Sequence, residues 1–245
     1  QCASEIRRVY GLKVTAIPTH RPCIRRLNKP RVFATMEAKW RAVTDEIERL
    51  VNNDRAVLVG TPSVDASEAL GRMLKDKSIK HEILNARYLE QEAEIVGNAG
   101  EPGRVIVATN MAGRGTDIKL SDTLRAAGGL QVIATEMHSS KRIDRQLIGR
   151  AARQGDPGGY QFFLSLEDEL MRCHTPEKMA KKKKQASPNA HGELSPGWLS
   201  FFAKTQRQLE KLHYKQRKDM MKQDKHRSES YRRMGLDPCL ELTEN

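Results

Sequence analysis

From residue 36 onward, apolar positions recur with two alternating periods. Trp40, Val43, Ile47, Leu50 and Val51 fall at i, i+3, i+7, i+10 and i+11, the spacing of one stripe on an amphipathic helix. Next, Ala56-Val57-Leu58-Val59-Gly60 is a continuous apolar run closed by Thr61-Pro62, as suits a strand covered on both faces. A helix with Ala66, Leu70, Met73 and Leu74 inward follows. The cycle repeats: a strand near His81–Asn85, a helix over Glu90–Ala99, a Gly-Glu-Pro-Gly turn and a strand over Arg104–Thr109. After a glycine-rich loop and a connection around residues 119–129 come a strand over Leu130–Thr135, a helix near Ser140–Arg153 and a strand over Tyr160–Ser165. Strands alternating with helices predict parallel pairing through right-handed crossovers, hence an open α/β domain. In such sheets ligands bind beyond the carboxyl ends of the strands, so the chemistry is expected in the loops that follow them.

The C-terminal third differs in kind. Residues 175–197 hold Lys181-Lys182-Lys183-Lys184 and Ser-flanked prolines with little apolar content, the composition of a linker or a flexible wing. Trp198 opens a long helical pattern running to about Met234, before Gly235 and Pro238 stop it. Trp198, Phe202, Leu209 and Leu212 form its apolar stripe. From Lys215 to Arg233 it is mostly charge, with Met220, Met221 and Tyr231 expected to pack. The expected organisation is a lead-in over 1–35, an α/β lobe over 36–173, a Lys-rich linker over 174–197, and a long helix with its tail over 198–245.

Charge sharpens this division. Lys and Arg number 43 against 31 Asp and Glu, a net charge of +12. Residues 1–170 carry 26 basic and 22 acidic side chains and residues 171–245 carry 17 and 9, so two-thirds of the excess lies in less than a third of the chain. Such a surface suits anionic partners. The 245 residues accommodate one large domain, or one domain with an extension. No stretch approaches the roughly 18 apolar residues of a membrane span, and no basic-then-apolar leader opens the chain, so a soluble, non-exported protein is expected. Cys2, Cys23, Cys173 and Cys239 form neither a C-x-x-C pair nor a Cys/His cluster, which points to a reducing compartment without structural zinc. The chain opens on Gln1 and is patterned from Ile6, Val9 and Tyr10, so a piece of a longer protein is expected.

Two segments carry candidate chemistry. Asn110-Met111-Ala112-Gly113-Arg114-Gly115-Thr116-Asp117 follows a predicted strand. Its glycines permit close backbone approach to a ligand, Arg114 offers a charge-assisted fork to phosphate, and Asp117 can accept from a hydroxyl or amine. By itself such a loop is equally well a glycine turn with a surface arginine. Gln146-Leu147-Ile148-Gly149-Arg150-Ala151-Ala152-Arg153-Gln154-Gly155 changes that weighting. Two arginines three apart share one face of a helix, and Gly149 would let that helix approach another backbone closely. Paired arginines beside a strand-end crevice suit neutralisation of charge on a transferring phosphoryl group.

Together these strings resemble motifs V and VI of the superfamily 2 helicase-like ATPases, and look closest to the second nucleotide-binding lobe of the SecA preprotein translocase ATPases. Pro18-Thr19-His20-Arg21-Pro22, Val57-Leu58-Val59-Gly60-Thr61, Arg142-Ile143-Asp144 and Leu164-Ser165-Leu166-Glu167-Asp168 extend the match. It covers residues 9–173 closely and the 198–234 helix more loosely, as the family's helical scaffold. The resemblance implies a RecA-like parallel sheet flanked by helices, followed by an α-helical extension. It implies ATP as cofactor, with Mg²⁺ held mainly by a first lobe, from which residues 1–35 would lead in. Arg150, Arg153 and Arg114 would sense the γ-phosphate, at least one as an arginine finger. Asp117, Gly113, Gly115, Thr116, Gln146 and Gly149 would border the nucleotide. Implied partners are the first lobe, a SecYEG-type secretion channel, unfolded preprotein, anionic phospholipid and a second copy in a homodimer, at the cytoplasmic face of the plasma membrane.

The chain departs from the family in Ala151-Ala152, where Ser-Gly is usual, and in Ile148, where Arg is common. Residues 174–197 are short for the family's helical wing. No G-x-x-x-x-G-K-[ST] loop and no acidic Mg²⁺-holding strand end occurs, so the chain is expected to carry half an active site and to be inactive alone. A nucleic-acid helicase lobe shares both motifs, but no aromatic-basic interleave for stacking bases is present. A non-catalytic scaffold fragment is the other alternative. His138 and His174 read as surface or hydrogen-bonded histidines, and the Lys181–Lys184 run as a solvated loop or, more sharply, a site of attraction to anionic lipid.

Overall fold

The structure is a computed structural model that describes residues 3–84, 97, 99–109 and 117–234. In chain order the elements are α1 (Ala3–Tyr10), β1 (Arg26–Leu27), β2 (Arg31–Phe33), α2 (Met36–Val51), β3 (Val57–Thr61) and α3 (Val64–Asp76). Then follow β4 (Glu82–Leu84), β5 (Val105–Thr109), α4 (Asp122–Ala126), β6 (Leu130–Ala134), α5 (Lys141–Ile148), β7 (Gly158–Ser165), α6 (Pro176–Gln185) and α7 (Leu199–Arg233). The expected helix over Glu90–Ala99 falls largely outside the described residues.

Helices begin where a hydroxyl satisfies an otherwise unpaired amide. Thr35 Oγ1 accepts from the Ala38 amide at 3.3 Å, and Ser63 Oγ from the Ala66 amide at 3.2 Å. The strands form one all-parallel sheet in the order β1-β7-β6-β3-β5-β4, with β2 also pairing with β7. The parallel sheet flanked by helices and followed by a long helix agrees with the expected fold class.

Side chains alternate across each strand, which divides the core into two layers. Val57 and Val59 of β3, Val105 and Val107 of β5 and Ile133 of β6 meet Val43, Ile47 and Leu50 of α2 and Leu70 and Leu74 of α3. On the other face Leu58, Ile106, Ala108, Leu130 and Val132 meet Ile118, Leu120, Leu124, Ala151 and Leu147. Gly60 makes the second layer thin enough for α5: a Cβ there would lie 2.3 Å from a Leu147 methyl. This burial on both faces is why the central strands β3 and β5 read as nearly continuous apolar runs.

Three local expectations change. The connection around 119–129 contains α4. The Lys181–Lys184 run, expected as a solvated loop, lies within α6, capped by Thr175 Oγ1 accepting from the Lys178 amide at 3.4 Å. The helix expected over Ser140–Arg153 stops at Ile148, with consequences for the arginines described below.

The chain divides into two compact units, one of residues 19–206 holding the sheet, the other of residues within 1–18 and 207–245. In the second unit Arg217 Nη2 donates to Glu5 Oε1 at 2.6 Å, and Arg8, Val9, Tyr214, Lys218, Met221, Lys222 and Lys225 line a basic cavity of about 660 Å³. Met220 and Met221, expected to pack, are exposed. No described helix is long and apolar enough to cross a membrane.

Candidate functional site

Topology decides where the arginines go. β6 and β7 are neighbours and parallel, so α5 between them must return the chain to the amino edge of the sheet. Residues 149–157 therefore lie at that edge, ahead of β7, and not beyond the carboxyl ends of the strands as expected. Arg150 and Arg153 leave the helix altogether. Gly149 caps α5, and the next amides bond three residues back, Arg150 N to Leu147 O at 3.0 Å and Ala151 N to Ile148 O at 3.3 Å. Ala152, Gln154 and Gly155 then take φ of 53°, 51° and 84°. These left-handed residues prevent the helix from continuing, so the two arginines share a turn and not a helix face. Nor does Gly149 serve approach to another backbone: a Cβ there would lie 2.6 Å from Arg145 O of its own helix.

Beside this turn is a cavity of about 830 Å³ bordered by Arg21, Cys23, Arg25, Asp117, Arg153 and Gln154 among others. Arg153 Nη1 donates to Asp117 Oδ1 at 2.8 Å, and Gln154 Nε2 to Asp117 Oδ2 at 3.2 Å. Both members of the ion pair remain open to solvent, at 34% and 42% side-chain exposure. From the other side Arg25 Nε donates to Ala151 O at 2.9 Å, which pins the turn to the edge strand β1. The pairing of Asp117 with Arg153, 36 residues apart, joins one residue from each of the two motifs.

Of the residues singled out by sequence, the structure brings Asp117 and Arg153 together. Arg150 is half-buried in the same turn but does not line the cavity, as neither do Gly149 and the exposed Gln146. Arg114, Gly113, Gly115 and Thr116 lie outside the described residues. Sequence reading missed Arg21 and Arg25 as site residues. Their signal was available as alternation: Arg21, Cys23 and Arg25 are two apart on a segment leading into an edge strand, so they share one face.

The carboxyl edge of β6 and β7, the expected crevice, holds a buried polar layer. Lys39 of α2, fully buried, donates from Nζ to Asp168 Oδ1 at 2.5 Å and to Thr135 O at 2.8 Å, while the Ser165 amide donates to Asp168 Oδ2 at 2.8 Å. Nearby, Asp144 accepts from the His138 amide at 2.9 Å, pairs with His138 Nδ1 at 2.7 Å and accepts from Gln206 Nε2 of α7 at 2.6 Å. His138 is thus one of the hydrogen-bonded histidines expected. His174 is another: its Nε2 lies 2.8 Å from Thr205 Oγ1 and its ring stacks on Phe201. Burial, aided by the negative charge of Asp168, pushes the Glu136 carboxyl up to about 7. Among the described residues, no group of three or more His, Cys, Asp or Glu is arranged to hold a metal ion.

Comparison with known proteins adds an independent line. The profile of the family described as the SecA P-loop domain matches residues 22–127 and 121–188. Protein translocase subunit SecA 2 of Rhodopirellula baltica is 44% identical over 243 residues, which is 98% of this chain and 36% of that protein. Protein translocase subunit SecA of Amoebophilus asiaticus is 53% identical over 179 residues, 73% of this chain and 16% of that one. The chain thus spans little more than a third, or less, of the length of these relatives. Among solved structures, the E. coli DEAD-box protein SrmB bound to RraA aligns with a TM-score of 0.49 and 22% identity, covering 62% of this chain and 83% of that one.

Proposed function

The chain belongs to the SecA P-loop domain family, and from that premise we propose that it is the second nucleotide-binding lobe of a motor coupling ATP hydrolysis to preprotein movement across the bacterial plasma membrane. The observation that carries this reading is the solvent-open Arg153–Asp117 pair beside an arginine-bordered cavity at the amino edge of the sheet. The Arg153 guanidinium is steadied by Nε donating to Gly149 O at 3.2 Å, and its solvent-open contact with Asp117 can be exchanged for a phosphoryl oxygen at modest desolvation cost.

In this reading Arg153 leaves Asp117 for the γ-phosphate, with Arg150 and Arg114 adding positive charge and at least one of the three acting as an arginine finger. Asp117, once released, accepts from the nucleotide's sugar or from the facing lobe. Gly113, Gly115, Thr116, Gln146 and Gly149 border the nucleotide, and Arg25 keeps the turn in register through Ala151. ATP supplies the phosphoryl group to be transferred, and Mg²⁺ belongs to the first lobe. Closure of the lobes would be passed to α7 and so to unfolded preprotein at a secretion channel on the cytoplasmic face of the membrane, where anionic phospholipid and a second copy are further partners.

The test uses the complete protein containing this chain. Arg150→Ala and Arg153→Ala are expected to retain nucleotide binding in equilibrium titration while turnover falls by roughly 10³-fold. Unchanged turnover in both variants would remove the arginine-finger assignment.

A further inference from the structure

A second cavity of the sheet-bearing unit, of about 380 Å³, lies on the opposite side of the β1 edge from the one beside the arginine turn. Side-chain alternation separates the two. Arg21, Cys23 and Arg25 border the first, whereas Ile24, Arg26 and Asn28 border the second. Its remaining walls are Arg55, Gln131, Pro157 and the glycine backbone at Gly128 and Gly158-Gly159, and among the described residues no acidic side chain lines it.

The polar groups here lack partners that their chemistry calls for. Arg55 donates from Nε to Gly129 O at 2.8 Å, but neither its terminal nitrogens nor Arg26 has an ion-pair partner among the described residues. Burial lowers the affinity of Arg55 for its proton, and the positive charges of Arg49 and Arg26 lower it further. Gln131 is 1% exposed, yet its Nε2 has no hydrogen-bond acceptor. A buried amide donor without a partner is uncommon in folded proteins and calls for an explanation. The position is nevertheless built: a Cβ at residue 159 would lie 2.6 Å from Gln131 Oε1, so the glycine there is what admits the carboxamide.

We propose that Arg26 and Arg55, in the cavity walled by Gln131, form a site for a phosphoryl oxyanion, free or as the head of a phosphomonoester, distinct from the nucleotide cavity across β1. Two guanidinium forks match a tetrahedral dianion in charge, and the buried Gln131 carboxamide closes the wall behind them. The site stands on its own residues and does not depend on the nucleotide reading.

The experiment is a titration of the ¹⁵N-labelled 245-residue chain with inorganic phosphate, and separately with glycerol 3-phosphate, read at the Gln131 side-chain amide and the Arg55 Nε–H. Sodium chloride at matched ionic strength is the control. Saturable shifts with phosphate alone identify the free ion, and saturable shifts with both admit the phosphomonoester. Arg55→Gln and Arg26→Gln are each expected to weaken binding about tenfold or more, since each removes a charge-assisted contact. Arg26 is exposed, so its variant keeps the test valid if Arg55→Gln does not fold. Arg153→Ala should leave these shifts unchanged. Shifts that chloride reproduces, that do not saturate, that persist in both arginine variants, or that Arg153→Ala abolishes would overturn the proposal.

Discussion

At the amino edge of the sheet Arg153 faces Asp117 with 34% and 42% of the side chains exposed, while at the carboxyl edge Lys39 faces Asp168 with neither exposed. The two pairs have similar lengths, 2.8 Å and 2.5 Å, so geometry does not distinguish them. Solvent does. An exposed pair is screened, contributes at most about 1 kcal/mol, and leaves its guanidinium available to another anion. A buried pair has been desolvated, each member depends on the other, and both are committed to the fold. Of these two pairs, the one whose side chains still see water is the one whose charge can act on a ligand. The carboxyl ends of β6 and β7, part of the edge where α/β sheets ordinarily bind, are occupied by Lys39, Asp168, Asp144 and Gln206.

The largest test of that contrast is stability. Lys39→Met would leave Asp168 buried and unpaired, and is expected to lower unfolding free energy by about 3–5 kcal/mol, measured by urea denaturation. Arg153→Ala should lower it by less than about 1 kcal/mol in the same assay. Equal losses at the two edges would erase the distinction.

A second test uses protons. The Glu136 carboxyl is raised from 4.5 to about 7 in the folded chain, so between those values the folded state holds a proton that the unfolded state has released. The stabilisation is complete below about pH 4.5 and is lost as pH rises through about 7. Unfolding free energy should therefore fall by about 3 kcal/mol across this window from this group and level off above it. Glu136→Gln, which stays neutral, should flatten this part of the profile. An unchanged slope in that variant would assign the pH dependence elsewhere.

The smallest expected effect concerns the arginine turn itself. Ala152 holds φ of 53° at the position where the resembled family usually has glycine. Ala152→Gly relieves the contact between Cβ and backbone that disfavours this conformation, and should raise stability by about 1 kcal/mol in thermal or urea unfolding. A loss of stability would show that the turn is not strained at this residue.

Much of the fold was legible because burial on both faces leaves a one-dimensional trace. Val57 through Gly60 and Val105 through Ala108 are short apolar runs bounded by turn residues, as covered strands are, Leu130 through Ala134 is interrupted only by Gln131, and the helices between them carry their own stripes. The site was legible only in part. Gly113 through Asp117 and Gln146 through Gly155 stood out by residue type, yet their spacing suggested a helix bearing two arginines. The left-handed turn at Ala152 and Gln154 was hidden, because alanine and glutamine favour the helix that the tertiary contacts forbid. Lys39 was also hidden: a lysine on an amphipathic helix reads as solvent-facing until Asp168, 129 residues away, is placed beside it.

Read residue by residue, the chain specifies alternating strands and helices, a polar terminal helix, two phosphate-suited motifs and a basic excess concentrated near its end. Those are properties of residue type and local period, and local interactions suffice to set them. Which charges are paired inside the molecule and which stay in water was set by long-range packing. Parallel pairing of β6 with β7 carries the arginine turn to the amino edge, where it meets Asp117 in water, and sets Lys39 against Asp168 out of it. Exposure depends on what the rest of the chain packs over a residue, and no local pattern records that.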